Sequence, residues 1–499
     1  MNKILSSSIL LRIKKQKKKI VLCHGVFDIV HAGHIKYFNE AKKHGDLLIV
    51  SITNDQFVNK GPGRPVFKIN ERVSVLSNLN QIDYIYISNN FNSENIIKII
   101  KPNFYCKGLD YKSAKLNDKN LQKEIKQLKK NNGKFVIINQ PLQSSSKAIN
   151  QSNLLFNTET NNFLNGIRKK YTLGSINKKL KVIQKLSVMI MGEIIIDKYI
   201  YTEAIGKSGK DSFLVLEKKK EDTFLGGTGY MANVLSSFVK NPTLLSFLGT
   251  DKKETAFVKK NIKKNVKFKY FIKKNSTNFT KTRFVDIYSK NKVLGVYNLN
   301  DQFISKSEEN IFINTLKANI NKFDLIILSD YGHGIFTDKI RNMIQRYKDK
   351  IFLNTQINSF NRGYHTLFKY NKVNTLVINE SELRYELRNK ISTVEDLVKK
   401  IKQKFTLENI IITRGKFGVQ FYKGNKKYEC PAFSENALDA IGAGDTFLSL
   451  ISICLKAKID TDIAMLIASL GASYATQKIG HSEVLNSEYI NKSLIYLLK

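Results

Sequence analysis

Two of the seven histidines, His31 and His34, stand three residues apart in HGVFDIVHAGH, between an apolar run that reads as a strand and a periodic run that reads as a helix. At the C-terminal end of a parallel strand they would face the ligand crevice. The helix that follows would offer unbonded N–H groups and a positive dipole to phosphate. Gly25, Phe27 and Gly33 share this turn; the glycines let backbone approach phosphate, and the imidazoles can donate to charge developing on a departing pyrophosphate. A pair of histidines is a short ligand set for zinc, and simple exposure or core hydrogen bonding is the plain alternative. Near the other end, DAIGAGDTFLSLISICL sets Gly442, Ala443 and Gly444 directly before an apolar helix with Asp445 at its mouth. Such a turn can serve as an anion hole while the carboxylate takes a proton from an acceptor hydroxyl. A helix-capping aspartate is the alternative here.

Both sites need elements to position them. From Ile20 to about Asn139, short apolar runs (IVLC, DLLIVSI, DYIYI, FYCKG, KFVIIN) alternate with amphipathic stretches, which predicts a doubly wound parallel sheet. A polar segment rich in Asn and Lys follows, and a second alternation runs from SVMIMGEIIID to the helical patterns after Gly444. The reading is α/β throughout. One α/β domain is expected over residues 1–150, a linker with some helix over 151–186, and a second α/β domain over 187–499. There is no internal repeat.

At 499 residues the chain is long enough for two or three cores, and 42% hydrophobic with 25% charged residues is an ordinary globular mixture. No run approaches a membrane span, and the N-terminus lacks the apolar core of a secretory signal, so a cytoplasmic enzyme is expected. Cys23, Cys106, Cys430 and Cys454 are too scattered for a disulfide framework and form no CxxC pair. The net charge of +40 is spread along the whole chain beside abundant Asn, Ile, Phe and Tyr, so nucleic-acid binding is not expected. General attraction of phosphorylated substrates is a sufficient use for it, and a homodimer is compatible with the sequence. Gly206-Lys207-Ser208 looks like the end of a P-loop, but Tyr201 stands where its first glycine belongs.

GVFDIVHAGH resembles the HxGH signature of the cytidylyltransferase-like superfamily, which joins a nucleoside triphosphate to a phosphorylated small molecule and releases pyrophosphate. The resemblance implies that His31 and His34 stabilise the triphosphate in the transition state. KGPGRPVFKINER resembles that superfamily's basic loop, which would put Lys60, Arg64 and Arg72 near phosphates; KGLDY and QSSSKAI resemble later segments, with Ser144, Ser145 and Ser146 as nucleotide contacts. Together these are most similar to the adenylyltransferase half of the bifunctional enzymes of ADP-heptose synthesis. The glycerol-3-phosphate cytidylyltransferases share HxGH, and ATP against CTP stays open.

DAIGAGD resembles the signature of ribokinase-type (PfkB) sugar kinases, and the rest of that pattern follows in order. MGEIIIDKY supplies Asp197, and LGGTGYMANVL supplies Gly226, Gly227, Tyr230 and Asn233, all implied sugar contacts. IILSDYGHG resembles an LSDYxKG segment. NESE gives Asn379 and Glu382, implied to organise Mg²⁺ through water, while TRGKFG gives Thr413, Gly415 and Gly418 near the nucleotide. KIGHSEV resembles the KxGTSTV tail of heptose kinases. Tyr230 replaces the asparagine of the heptose kinases, the DPK-like strand end is altered over Asn354 to His365, and the domain order is reversed relative to the bifunctional enzymes. The resemblances imply an N-terminal Rossmann-like nucleotidyltransferase domain and a C-terminal ribokinase-like α/β domain, in a bifunctional sugar-activating enzyme using nucleoside triphosphate, Mg²⁺ and a sugar phosphate. A CTP-dependent transferase, or one governed by a sensor-like kinase domain, is the alternative.

Overall fold

The computed structural model describes residues 3–111, 119–139, 156–434 and 437–498. They form two compact units, Met1–Asn161 with Asn491–Lys499, and Asn162–Ile490.

In the first unit the apolar runs become β1 (Ile20–Gly25), β2 (Leu47–Thr53), β3 (Tyr84–Ser88), β4 (Phe104–Gly108) and β5 (Lys134–Ile138). All pair in parallel, in the order β3-β2-β1-β4-β5. Helices cover both faces, so β2 is buried at every position and reads as continuous rather than alternating. Val21, Cys23, Phe38 and Val50 share one core; Leu22, Ile49, Tyr105 and Leu128 share the other. Strand order reverses between β1 and β4. The crevice of such a sheet lies outside the C-terminal ends of those two strands, where the histidine motif and Lys107-Gly108 sit.

The second unit holds two sheets. The larger contains β6 (Val188–Gly192), β9 (Thr243–Leu248), β10 (Lys267–Ile272), β13 (Leu325–Asp330), β14 (Ile351–Thr355), β15 (Thr375–Asn379), β16 (Asn409–Thr413), β17 (Val419–Lys423) and β18 (Lys426–Cys430), in the order β10-β9-β6-β13-β14-β15-β16-β17-β18. The pairs from β10 to β16 are parallel; β17 and β18 close the edge as an antiparallel hairpin. The smaller sheet, β12-β11-β7-β8, is built from β7 (Ile194–Lys207), β8 (Leu214–Gly226), β11 (Phe279–Asp286) and β12 (Lys292–Asn298). It was not foreseen. The run MIMGEIIID reads as one strand, yet the chain leaves the large sheet after Gly192 and enters the small one at Ile194.

The polar stretch before β6 contains the helices Thr158–Lys170 and Leu173–Ile183. Tyr171 donates to Asp462 at 2.8 Å and Ile176 and Ile183 are buried, so the compact unit takes in this segment from Asn162. Gly206 and Lys207 end a strand of a hairpin rather than a loop entering a helix, which disposes of the P-loop. Among the described residues no helix is long and apolar enough to cross a membrane.

Candidate active sites

The helix Ala32–Lys42 starts with its N–H groups capped by the two histidines themselves. His31 Nδ1 accepts from Gly33 N at 3.1 Å, and His34 Nδ1 is 3.4 Å from the donating His31 N. A ring nitrogen that accepts cannot carry the proton. Each neutral imidazole therefore keeps its hydrogen on Nε2, as a donor. Burial lowers the His31 pKa; burial, with His31 and Lys60 nearby, pushes His34 down to about 3. Both rings are thus neutral donors near pH 7, 4.1 Å apart between centroids. Phe27, in the left-handed region at φ 47°, turns its ring edge toward His34, and Gly25 leaves room for that ring, whose tip would lie 2.9 Å from a Cβ there. Gly25 thus serves Phe27, and the N–H of Gly33 is already spent on His31.

The basic loop is held differently from the sequence expectation. Arg64 Nη1 pairs with the buried Asp28 at 2.8 Å, and the other Asp28 oxygen accepts from Val66 N and Phe67 N at 2.8 and 3.1 Å. Arg72 is 1% exposed and donates to the carbonyls of Phe67, Val26 and Thr53 and to Asp55 at 2.5–3.0 Å. It is a strut between the loops. Asp28, which sits inside the histidine motif, and Asp55 are the residues sequence reasoning missed. Lys60 is close enough to depress His34. Ser144, Ser145 and Ser146 lie outside the described residues. Beneath the site, Lys107 donates to the His24 carbonyl at 3.3 Å, while buried Glu124 accepts from Tyr105 and from Ser93 N at 3.0 and 2.9 Å.

In the second unit a cavity of about 700 Å³ opens over the start of the helix Ala443–Lys456. Gly442, at φ 81°, makes the turn into it, and no side chain caps the helix. The N–H groups of Gly444 and Asp445 therefore have no acceptor among the described residues. Asp445 is buried, which raises its pKa, and Tyr331 donates to its Oδ1 at 2.7 Å, which lowers it. Thr413, Gly415 and Gly418 line the same cavity, as do Asn379 and Glu382. Asn379 Oδ1 accepts from Ser381 N and Oγ at 2.9 and 2.5 Å and Glu382 Oε2 accepts from Asn379 N at 3.2 Å, so the two cap one helix start at the cavity wall, where Glu382 supplies the carboxylate. Burial raises the Glu382 pKa to about 7. A cation at that wall would relieve the cost, so the residues fit Mg²⁺ held through water.

At the opposite wall Asp197 is buried, which pulls its pKa up, yet His481 and Arg283 hold it at about 2. Arg283 Nη1 is 2.5 Å from Oδ1, and His481 Nδ1 lies 3.3 Å from Oδ2 without hydrogen-bond alignment. Gly226 gives up its side chain to this carboxylate, whose Oδ2 would be 2.3 Å from a Cβ there, while Gly227 lines the cavity. Two expected sugar contacts are engaged elsewhere in the fold. Asn233 is spent on Asn261 O and Lys263 N at 2.8 and 2.9 Å. Tyr230 is buried behind His481, with ring centroids 4.1 Å apart and its hydroxyl 3.2 Å from Thr446, so it acts on the cavity through His481. His481, Arg283 and Tyr331 were missed as site residues, although KIGHSEV and LSDYGHG contain two of them.

Two outcomes follow. Arg72→Met, by stranding Asp55 and three carbonyls, is expected to cost the first unit about 3 kcal/mol in urea unfolding while leaving nucleotide affinity of the folded protein near wild type. Full stability with lost nucleotide binding would return Arg72 to the phosphates. Tyr331→Phe removes a donor that favours ionised Asp445, so the acid limb of the pH profile for ADP release is expected to move to higher pH. An unmoved limb would leave Tyr331 without influence on the base.

Comparison with known proteins extends these observations. The pfkB family carbohydrate kinases match residues 185–487, and the family described as cytidylyltransferase-like matches residues 22–161. The Bifunctional protein HldE of Campylobacter concisus (strain 13826) is 41% identical over 115 residues, 23% of this chain and 24% of that one. The protein of the same name from Aliarcobacter butzleri (strain RM4018) is 26% identical over 303 residues, 60% and 62% of the two chains, so each match spans less than two thirds of the relative. Ribokinase from Giardia lamblia superposes with a TM-score of 0.50 at 14% identity, covering 62% of this chain and 100% of that one, a likeness of fold. With more than half of its residues matched, the chain belongs to the pfkB family of carbohydrate kinases and carries a cytidylyltransferase-like region ahead of the kinase part.

Proposed function

We propose that the chain activates a sugar in two reactions, ATP-dependent phosphorylation in the second unit and nucleotidyl transfer to a sugar 1-phosphate in the first. The observation that carries this reading is Asp445, a buried carboxylate held by Tyr331 beside two unbonded helix N–H groups in a cavity large enough for nucleotide and sugar. In the proposed step the acceptor oxygen attacks the γ-phosphorus, the bond to ADP breaks, and the hydroxyl proton passes to the Asp445 oxygen that Tyr331 leaves free. The N–H groups of Gly444 and Asp445 face the charge on the transferring phosphoryl. Mg²⁺, held through water at Glu382, would neutralise the nucleotide phosphates. In the first unit a sugar 1-phosphate oxygen would attack the α-phosphorus, and the Nε2 hydrogens of His31 and His34 would meet charge on the departing pyrophosphate.

The resemblance of the histidine motif and of KIGHSEV to the heptose enzymes is what favours a heptose 7-phosphate as acceptor at its anomeric hydroxyl, and ADP-heptose for surface polysaccharide as the product of the second reaction. Such substrates suit a cytoplasmic enzyme. The two halves then catalyse non-consecutive steps, because the kinase yields a 1,7-bisphosphate and the transferase takes a sugar bearing phosphate at position 1 alone.

Replacing His31 and His34 with Ala is expected to abolish pyrophosphate release and spare ADP release, and Asp445→Asn to do the reverse, with a rate loss of about 10² to 10⁴. Equal loss of both activities in either folded variant would refute two separate sites. Wild-type protein given heptose 7-phosphate and MgATP is expected to accumulate bisphosphate and to form nucleotide-sugar once a phosphatase is added. Nucleotide-sugar without phosphatase, seen by mass spectrometry, would show that the acceptor is a different sugar.

A further inference from the structure

The first unit contains residues that follow the whole of the second in sequence. The pfkB match ends at residue 487 and the cytidylyltransferase-like match at 161, so Asn491–Lys499 lies outside both, yet it belongs to the first compact unit. Ser493 and Tyr496 lie on the helix Ser487–Leu497, three residues apart and therefore neighbours on its surface. Both meet the start of the basic loop. Gly61 is buried, and a Cβ placed there would come within 3.3–3.4 Å of Oγ, Cα and Cβ of Ser493, so the loop backbone rests on the helix at a small side chain. Tyr496 presents its ring to the Lys60 ammonium, 5.3 Å from the centroid, and is close enough to act on the charge of Arg64. Between Phe57 and Ile69 the chain forms no helix or strand that would hold it. Asp28 fixes the far end of this stretch at Arg64, Val66 and Phe67. Its near end, at Lys60 and Gly61, rests on Tyr496 and Ser493. Lys60 is the charge felt at His34, so the position of its ammonium is a feature of the histidine site.

Resting on the transferase reading above, we propose that Tyr496, seated where Ser493 meets Gly61, is a positioning residue of the nucleotidyl-transfer site, setting the Lys60 ammonium beside His31 and His34 to receive a phosphate of the nucleoside triphosphate. The face of the ring attracts the ammonium and restricts a side chain that otherwise has wide rotamer freedom. Without the ring the loop stays pinned at Arg64, but its Lys60 end is released.

Tyr496→Phe keeps the ring face, and Tyr496→Leu removes it. Full-length wild type and variants are assayed for pyrophosphate release from ATP and from CTP with heptose 1-phosphate, and for ADP release with heptose 7-phosphate. Amide hydrogen exchange of the peptide covering residues 58–63 is followed by mass spectrometry. Tyr496→Leu is expected to lose about 3- to 30-fold in kcat/KM for pyrophosphate release and to exchange faster in the loop, while Tyr496→Phe stays near wild type and ADP release is the same in all three. Ser493→Ala deletes a buried hydroxyl that has no hydrogen-bond partner among the described residues and is expected to match wild type. Ser493→Leu drives a larger side chain against Gly61 and is expected to reproduce Tyr496→Leu. Wild-type pyrophosphate release and loop exchange in Tyr496→Leu overturn the proposal and leave the transferase reading intact. So does an equal loss in Tyr496→Phe, which would assign the effect to the hydroxyl, and so does a parallel loss of ADP release, which would make the segment a support of the fold at large. A wild type that releases no pyrophosphate from either nucleotide, with loop exchange raised in Tyr496→Leu and not in Tyr496→Phe, supports the brace and refutes the transferase reading instead.

Discussion

The first N–H groups of a helix must find partners, and the two sites differ in how this chain meets that requirement. At Ala32–Lys42 the chain answers with its own side chains: His31 and His34 accept from the turn through Nδ1. At Ala443–Lys456 no side chain among the described residues answers, and the groups stay open beside Asp445. The first arrangement turns two imidazoles into fixed neutral donors; the second keeps the backbone as the donor. In the proposed reactions both would serve phosphate, but the histidines move the donors outward by the length of a ring, whereas the bare helix end would bring charge against the backbone itself.

Carboxylates keep these donors aimed. Asp28 joins the histidine turn to the basic loop through Arg64 and two backbone N–H groups, and Asp55 ties Arg72 to the neighbouring strand end. A loop rich in positive charge is thereby made rigid by burying some of that charge with a partner. Lys60 remains the residue of the basic loop whose charge is felt at His34.

The parallel sheets were legible because both faces are covered, so their strands appear as uninterrupted apolar runs such as LLIVSIT. The small sheet was not. β12 is exposed along its whole length and β8 along much of its own, so lysines, glutamates and apolar residues mix without a clean period of two. Asp445, Glu382 and the histidine pair could be read because short motifs fix them within one turn of chain. Arg72 and Asn233 could not be separated from ligand contacts by type, since the same donors serve a distant carbonyl or a phosphate equally well; which they serve is decided by loops 17 to 46 residues away for Arg72, and by the turn at Asn261–Lys263 for Asn233. Arg283 lies on a strand that carries no motif.

Tyr230 and His481 show how two departures far apart in sequence become one local change. Each taken alone puts a bulky ring where the resembling kinases have a smaller side chain, asparagine at one position and threonine at the other. In the structure the rings rest on each other 4.1 Å apart, and His481 fills the space between Asp197 and the turn at Gly442, where a Cβ would come within 2.6 Å of its Nε2. A tyrosine in place of asparagine gives up an amide but supplies the wall against which the imidazole is held. The imidazole in turn approaches the free oxygen of Asp197, whose other oxygen belongs to Arg283. A carboxylate carries about four acceptor positions, so Asp197 can still receive a hydroxyl from the cavity. The direction from which it can do so is now set by Arg283 on one side and His481 on the other. In the proposed acceptor site, shape would therefore be set by a pair of aromatic side chains acting through one carboxylate, and the two positions are coupled by direct contact rather than independent.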